Sequence, residues 1–86
     1  MSNLESLDLS NNQLQGTFNH LMKCKNLTYI NLSNNIISEP AKLAPLKRIG
    51  NITICINDNP LCLTDGYANK IKNYNIKITK SPKKIL

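Results

Sequence analysis

The sequence has no tryptophan, one phenylalanine and three tyrosines among 86 residues, so any core must be built from leucine and isoleucine. A chain of this length makes one small domain, and its core is marginal because short chains bury a smaller share of their surface on folding. No run of about 18 apolar residues occurs, which excludes a membrane-spanning helix. Met1-Ser2-Asn3-Leu4-Glu5 lacks the charged and then apolar layout of a signal peptide. With Met1 as the true start, a cytoplasmic location is expected. Cys24, Cys55 and Cys62 are odd in number and show no C-x-x-C spacing, whereas secreted domains stapled by disulfides usually carry an even count. Reduced thiols are therefore expected, and a Cys55–Cys62 bridge would instead suit an extracellular fragment.

The residues of catalysis are equally sparse. His20 is the single histidine, and no carboxylate or nucleophile stands at a telling spacing from it, so general acid–base work lacks an oriented partner. Gly16, Gly50 and Gly66 are scattered and form no phosphate-cradling loop. His20 and the three cysteines include no close ligand pair for zinc. The expectation is a non-enzymatic protein with no catalytic, metal or cofactor site. Asn26, Asn31 and Asn51 match the glycosylation sequon. A repeating template generates such matches incidentally, and they carry no weight.

Acidic charge is missing from one region altogether. Up to Asp65, five basic residues (Lys23, Lys25, Lys42, Lys47, Arg48) balance five acidic ones (Glu5, Asp8, Glu39, Asp58, Asp65). Beyond it stand Lys70, Lys72, Lys77, Lys80, Lys83 and Lys84 with no acid, so the whole net charge of +6 sits in the last quarter. One reading is a solvated tail, with residues 81–86 too polar to pack. The other is an electrostatic patch for RNA, an acidic protein or an anionic membrane surface, of which the nucleic-acid reading lacks interleaved aromatics.

What is present is a repeat. Leu4-Glu5-Ser6-Leu7-Asp8-Leu9-Ser10-Asn11-Asn12-Gln13-Leu14 reads L-x-x-L-x-L-x-x-N-x-L. Residues 27–37 repeat it 23 positions on, with isoleucine for two of the leucines, and residues 51–61 repeat it after 24 more, with Asn51 in place of the first apolar residue. Leu7/Leu9, Ile30/Leu32 and Ile54/Ile56 alternate along short strands and point to one side. No single repeat can bury such a row, so neighbours must stack with their strands parallel. Asn12, Asn35 and Asn59 fall where each strand turns away, and their amides can replace the backbone bonds lost at the bend.

These eleven-residue segments resemble the leucine-rich repeat family over residues 3–62. Leu14-Gln15-Gly16-Thr17-Phe18-Asn19 is similar to the L-x-G-x-I-P stretch of plant-type repeats, with Asn19 in place of proline. Residues 37–49 are closer to the short intracellular class that includes phosphatase-1 regulatory subunits. Asn59-Pro60-Leu61, followed by a tyrosine-bearing segment, is similar to the C-terminal cap of intracellular members. The resemblance implies an α/β solenoid, a short right-handed superhelix with a three-strand parallel concave sheet and a C-terminal cap helix. The implied layout is repeats over 1–62 (about 4–26, 27–50 and 51–62), a cap over 63–80 and a basic tail over 81–86. Thr64 or Asp65 is the expected helix N-cap, and Tyr67, Ile71 and Tyr74 share one helical face that closes the stack. Ile76-Lys77-Ile78-Thr79 alternates like an edge strand.

Function follows as an expectation. Stacked strands present a rigid concave face suited to another protein. Alternation places Ser6, Tyr29 and Thr53 in one outward column, Asp8, Asn31 and Cys55 in the next, and Ser10, Ser33 and Asn57 in the last. Tyr29 is the only large side chain among them and the best anchor. The alternative is an anionic partner, nucleic acid or membrane surface, held by Lys70, Lys72, Lys77, Lys80, Lys83 and Lys84. A further alternative is a terminal fragment of a larger receptor-like array. The pattern is already running at Leu4, so the first repeat would expose apolar residues and could stack on another surface.

Overall fold

The computed structural model describes residues 4–16, 18, 21 and 23–79. His20, Lys80, Lys83, Lys84 and the 81–86 tail lie outside the described residues. Strands β1 (Ser6–Asp8), β2 (Tyr29–Asn31), β3 (Thr53–Cys55) and β4 (Lys77–Thr79) form one parallel sheet in the order β1-β2-β3-β4. The sheet thus has four strands rather than the expected three. The alternating segment after the cap joins the ladder, with Ile78 in register with Ile54. Leu7, Ile30, Ile54 and Ile78 therefore make one continuous inward row.

Burial along that row follows the number of neighbours. Ile30, Leu32 and Ile54 are completely buried and Ile56 nearly so, whereas Leu7 and Leu9 are only half-buried. Ile30/Leu32 lie between two repeats, and Ile54/Ile56 lie between a repeat and the post-cap strand β4. Strand β1 has a described neighbour on one side only.

The asparagines lace the repeats together. Asn35 Nδ2 donates to the carbonyls of Leu32 (2.9 Å) and Ser33 (3.2 Å) in its own repeat and of Leu9 (3.0 Å) in the preceding one. Its Oδ1 accepts the Leu14 amide at 3.0 Å. Asn59 repeats this one level on, donating to Ile56 and Leu32 and accepting from the Ile37 amide at 3.1 Å. Asn12 donates to Leu9 and Ser10 of its own repeat. Among the described residues no buried side-chain nitrogen or oxygen is left without a partner.

The convex side is made of 3-10 structure. Residues Pro40–Ile49 form a ten-residue 3-10 helix, unusually long for a form that seldom exceeds three or four residues. Its apolar residues Pro40, Leu43, Leu46 and Ile49 stand three apart, which is the pitch of a 3-10 helix, so all four fall on one inward edge. Pro40 opens it, where a missing amide costs nothing, and Gly50 ends it at φ +80°. The first repeat shows the same period. Phe18, Leu21, Cys24 and Leu27 are buried, and the amides of Leu21, Cys24 and Leu27 each donate to the carbonyl three residues back.

The stack closes with a short 3-10 helix, Pro60–Leu63, and helix α1, Tyr67–Lys72. Neither Thr64 nor Asp65 caps α1 with its side chain. Gly66, left-handed at φ +69°, takes the N-cap position and places the Thr64 carbonyl to accept the Tyr67 amide at 3.2 Å. Ile71 is buried, and Tyr67 and Tyr74 pack half-buried against the core. All three cysteines are free thiols.

Candidate functional site

The strand register assembles the concave face residue by residue. Ser6, Tyr29, Thr53 and Lys77 lie side by side, as do Asp8, Asn31, Cys55 and Thr79. Ser6, Asp8 and Lys77 are exposed, and Tyr29, Asn31, Thr53 and Thr79 are half-buried. Cys55 is the exception. Alternation puts it on the outward side of β3, yet its accessible surface is zero. It sits between Asn31 and Thr79 on the flanking strands and beside the Tyr29 side chain, so larger neighbours cover a small one. Cys55 is therefore not an exposed contact residue, contrary to the expectation from alternation alone.

Two side chains of the middle column are tied to the loop that follows each strand. Asp8 Oδ1 accepts from the Ser10 amide (2.9 Å) and hydroxyl (2.6 Å), and Asn31 Oδ1 accepts from the Ser33 amide (3.1 Å) and hydroxyl (2.7 Å). The sequence cause is the Asx-x-Ser spacing, in which a short side chain bonds the backbone two residues on. The Ser10 hydroxyl, followed by its amide, holds the Asp8 carboxyl below its ordinary range. Burial pushes the Tyr29 phenol up, reinforced by Cys55 and Asp8. At neutral pH the face thus offers a carboxylate at the β1 edge, a neutral phenol inside it and an ammonium at the β4 edge. Along the rim, Asn11, Asn34 and Asp58 share left-handed backbones at φ 60°, 54° and 62°, and Asn34 Nδ2 donates to Asn11 Oδ1 at 2.7 Å.

Lys77 and Thr79 are the contributors that sequence reasoning missed on this face. Their signal was the alternation of Ile76–Thr79, whose Ile78 matches the inward residues of the three repeats. Of the lysines expected to meet an anion, Lys72 and Lys77 line one cleft together with Lys47 of the convex helix. Lys70 is exposed on α1 and does not line that cleft. Lys80, Lys83 and Lys84 lie outside the described residues. Among the described residues no group of three or more His, Cys, Asp or Glu is placed to hold a metal ion, and no helix is long and apolar enough to cross a membrane.

Comparison with known proteins gives the same architecture. The profile described as Leucine Rich repeats (2 copies) matches residues 2–48. The chain is 34% identical over 80 residues to the Acidic leucine-rich nuclear phosphoprotein 32 family member A of Drosophila melanogaster. It is 32% identical to the protein of that name in Drosophila pseudoobscura pseudoobscura. Each alignment takes in 93% of this chain and 28% of the relative, so the chain spans about a quarter of their length. The names place these relatives in the nucleus, which overturns the cytoplasmic location expected from the sequence and its extracellular alternative. With the repeat profile covering more than half of its residues and a parallel strand ladder laced by asparagines, the chain belongs to the leucine-rich repeat family.

Proposed function

We propose that the chain is a non-enzymatic, nuclear protein-interaction module whose partner lies across the concave face. The supporting observation is the register itself, which sets Ser6, Tyr29, Thr53 and Asp8, Asn31 in two straight rows on a rigid sheet. Tyr29 is the anchor. It is half-buried beside Cys55, so part of its side-chain freedom is already lost before binding, and it is the only aromatic among the face's described residues. Four strands at about 4.8 Å spacing give a face only about 15 Å across. Such a face binds a strand or loop of a partner rather than a broad surface, since a standard interface needs about 800 Å² on each side. In this reading residues 1–62 are the repeats and 63–80 the cap. The nuclear location rests on the names of the relatives.

The test uses immobilised chain and nuclear extract, followed by titration of the recovered partner. Tyr29→Ala and Asp8→Lys are expected to weaken that partner by at least about tenfold, the usual effect of losing a central anchor. Melting temperatures are measured alongside, because Asp8 accepts two bonds from Ser10 and Tyr29 covers Cys55, and the comparison is made where both variants remain folded. Partner binding by both variants at wild-type strength removes the concave-face assignment.

A further inference from the structure

The turns that carry the chain from the convex side back into the sheet bring lysines and asparagines together. The third such turn differs from the others in charge. Lys47 comes from the last turn of the Pro40–Ile49 helix, Lys72 from the last turn of α1, and Lys77 from the first position of β4. All three side chains are exposed, and all three line one open cleft of about 510 Å³. Asn51 and Asn75 line it as well, and no acidic side chain does. Gly50 at φ +80° and Asn75 at φ +60° make the tight turns that bring the helix ends beside the strands. The neighbouring cleft, at the turn into β2, has about 300 Å³ and a single lysine, Lys25.

Cations near helix C-termini are ordinary, since they complement the last carbonyls. That accounts for Lys47 and Lys72 but not for Lys77, which opens a strand. Three ammonium groups from three separate elements repel one another, and a concave wall concentrates their field on whatever enters. The ligand that relieves this is an anion of more than one charge. A phosphomonoester brings about −1.5 to −2 charges and three acceptor oxygens, whereas a carboxylate brings one charge and two oxygens. Lysine suits the former as a compact point charge, and the Asn51 and Asn75 amides add neutral donors. Single-stranded nucleic acid is the poorer match, because no aromatic side chain lines the cleft to stack a base.

We propose that this cleft, formed by Lys47, Lys72 and Lys77, binds the phosphoryl group of a phosphorylated peptide. The site shares Lys77 with the concave face, whereas Lys47 and Lys72 lie outside the sheet, so Lys47→Gln and Lys72→Gln test it apart from the concave-face contact.

Fluorescence anisotropy on the full chain tests it, with a short glycine-rich peptide bearing one phosphoserine as the probe. The phosphopeptide is expected to bind and to be displaced by inorganic phosphate, while the same peptide with serine does not bind. Lys47→Gln, Lys72→Gln and Lys77→Gln each weaken binding about two- to fivefold, the scale of a solvent-exposed charge contact. The triple variant loses binding, Lys77→Arg retains it, and Lys25→Gln changes nothing. The proposal is overturned if the triple variant binds as wild type, or if a glutamate-bearing peptide binds as well as the phosphopeptide. A single-stranded RNA oligomer that binds more tightly, and is weakened by the same three substitutions, overturns it in favour of a nucleic-acid contact.

Discussion

At the scale of single residues, the asparagines hold the stack by doing two jobs at once. Asn35 and Asn59 donate to carbonyls of two successive repeats and accept an amide of the earlier one, and both are buried at 4% exposure. Removing either leaves buried and part-buried backbone groups on two levels without their partner, a loss of about 1–3 kcal/mol. Asn12 occupies the same repeat position but is exposed, and among the described residues it bonds its own repeat alone. Urea denaturation is therefore expected to rank Asn35→Ala and Asn59→Ala together, with Asn12→Ala below about 1 kcal/mol, nearer an ordinary surface change. Equal losses at all three positions would show that the contacts between repeats add nothing to those within each one.

At the scale of elements, the strands were legible and the convex side was not. The strands declare themselves because a period of two is read directly from Leu7/Leu9, Ile30/Leu32 and Ile54/Ile56, and the asparagine at the bend marks where each one stops. The convex segments carry a period of three instead: Phe18, Leu21, Cys24, Leu27 and then Pro40, Leu43, Leu46, Ile49. Such a row fits neither the helical period of 3.6 nor the strand period of 2, so it passes unread unless a 3-10 helix is considered. The concave columns were legible as facing but not as exposure. Alternation says that Cys55 points outward, and only the size of Asn31, Thr79 and Tyr29 around it says that it is covered. The anion cleft was half legible, since Lys72 and Lys77 belong to an obvious basic segment whereas Lys47 joins them through the fold alone. The three-residue row has a measurable consequence. Leu46→Ala, on the inward edge, is expected to cost about 2–5 kcal/mol, a large share of a small domain's stability. Its exposed neighbour in Arg48→Ala is expected to stay within about 0.5 kcal/mol. Similar losses for the two would mean that the convex segment does not bury one edge.

At the scale of the whole molecule, the stack is graded from end to end in both charge and cover. Among the described residues, Glu5 and Asp8 lie at the β1 edge and Lys70, Lys72 and Lys77 lie around β4, so charge runs from acidic at the first strand to basic at the capped end. The Drosophila relatives are named acidic, and the two surfaces proposed here belong to this basic chain itself. Cover follows the same axis. Strand β3 has a partner on both sides and a core at zero exposure, whereas β1 has a described partner on one side and half-buried leucines. In a repeat stack stability is nearly a sum of each unit and its nearest-neighbour contacts, so the end with one neighbour opens first. Hydrogen exchange is expected to show this as an order among ladder amides of similar length. Leu9, which donates to Asn31 at 2.8 Å, should exchange fastest, ahead of Leu32, which donates to Cys55 at 2.7 Å, and Thr53, which donates to Thr28 at 2.9 Å. A separation of roughly tenfold corresponds to about 1.4 kcal/mol of opening free energy. If Leu9 is instead as protected as Thr53, the chain opens only as one unit, and cover from neighbouring repeats does not set its local stability.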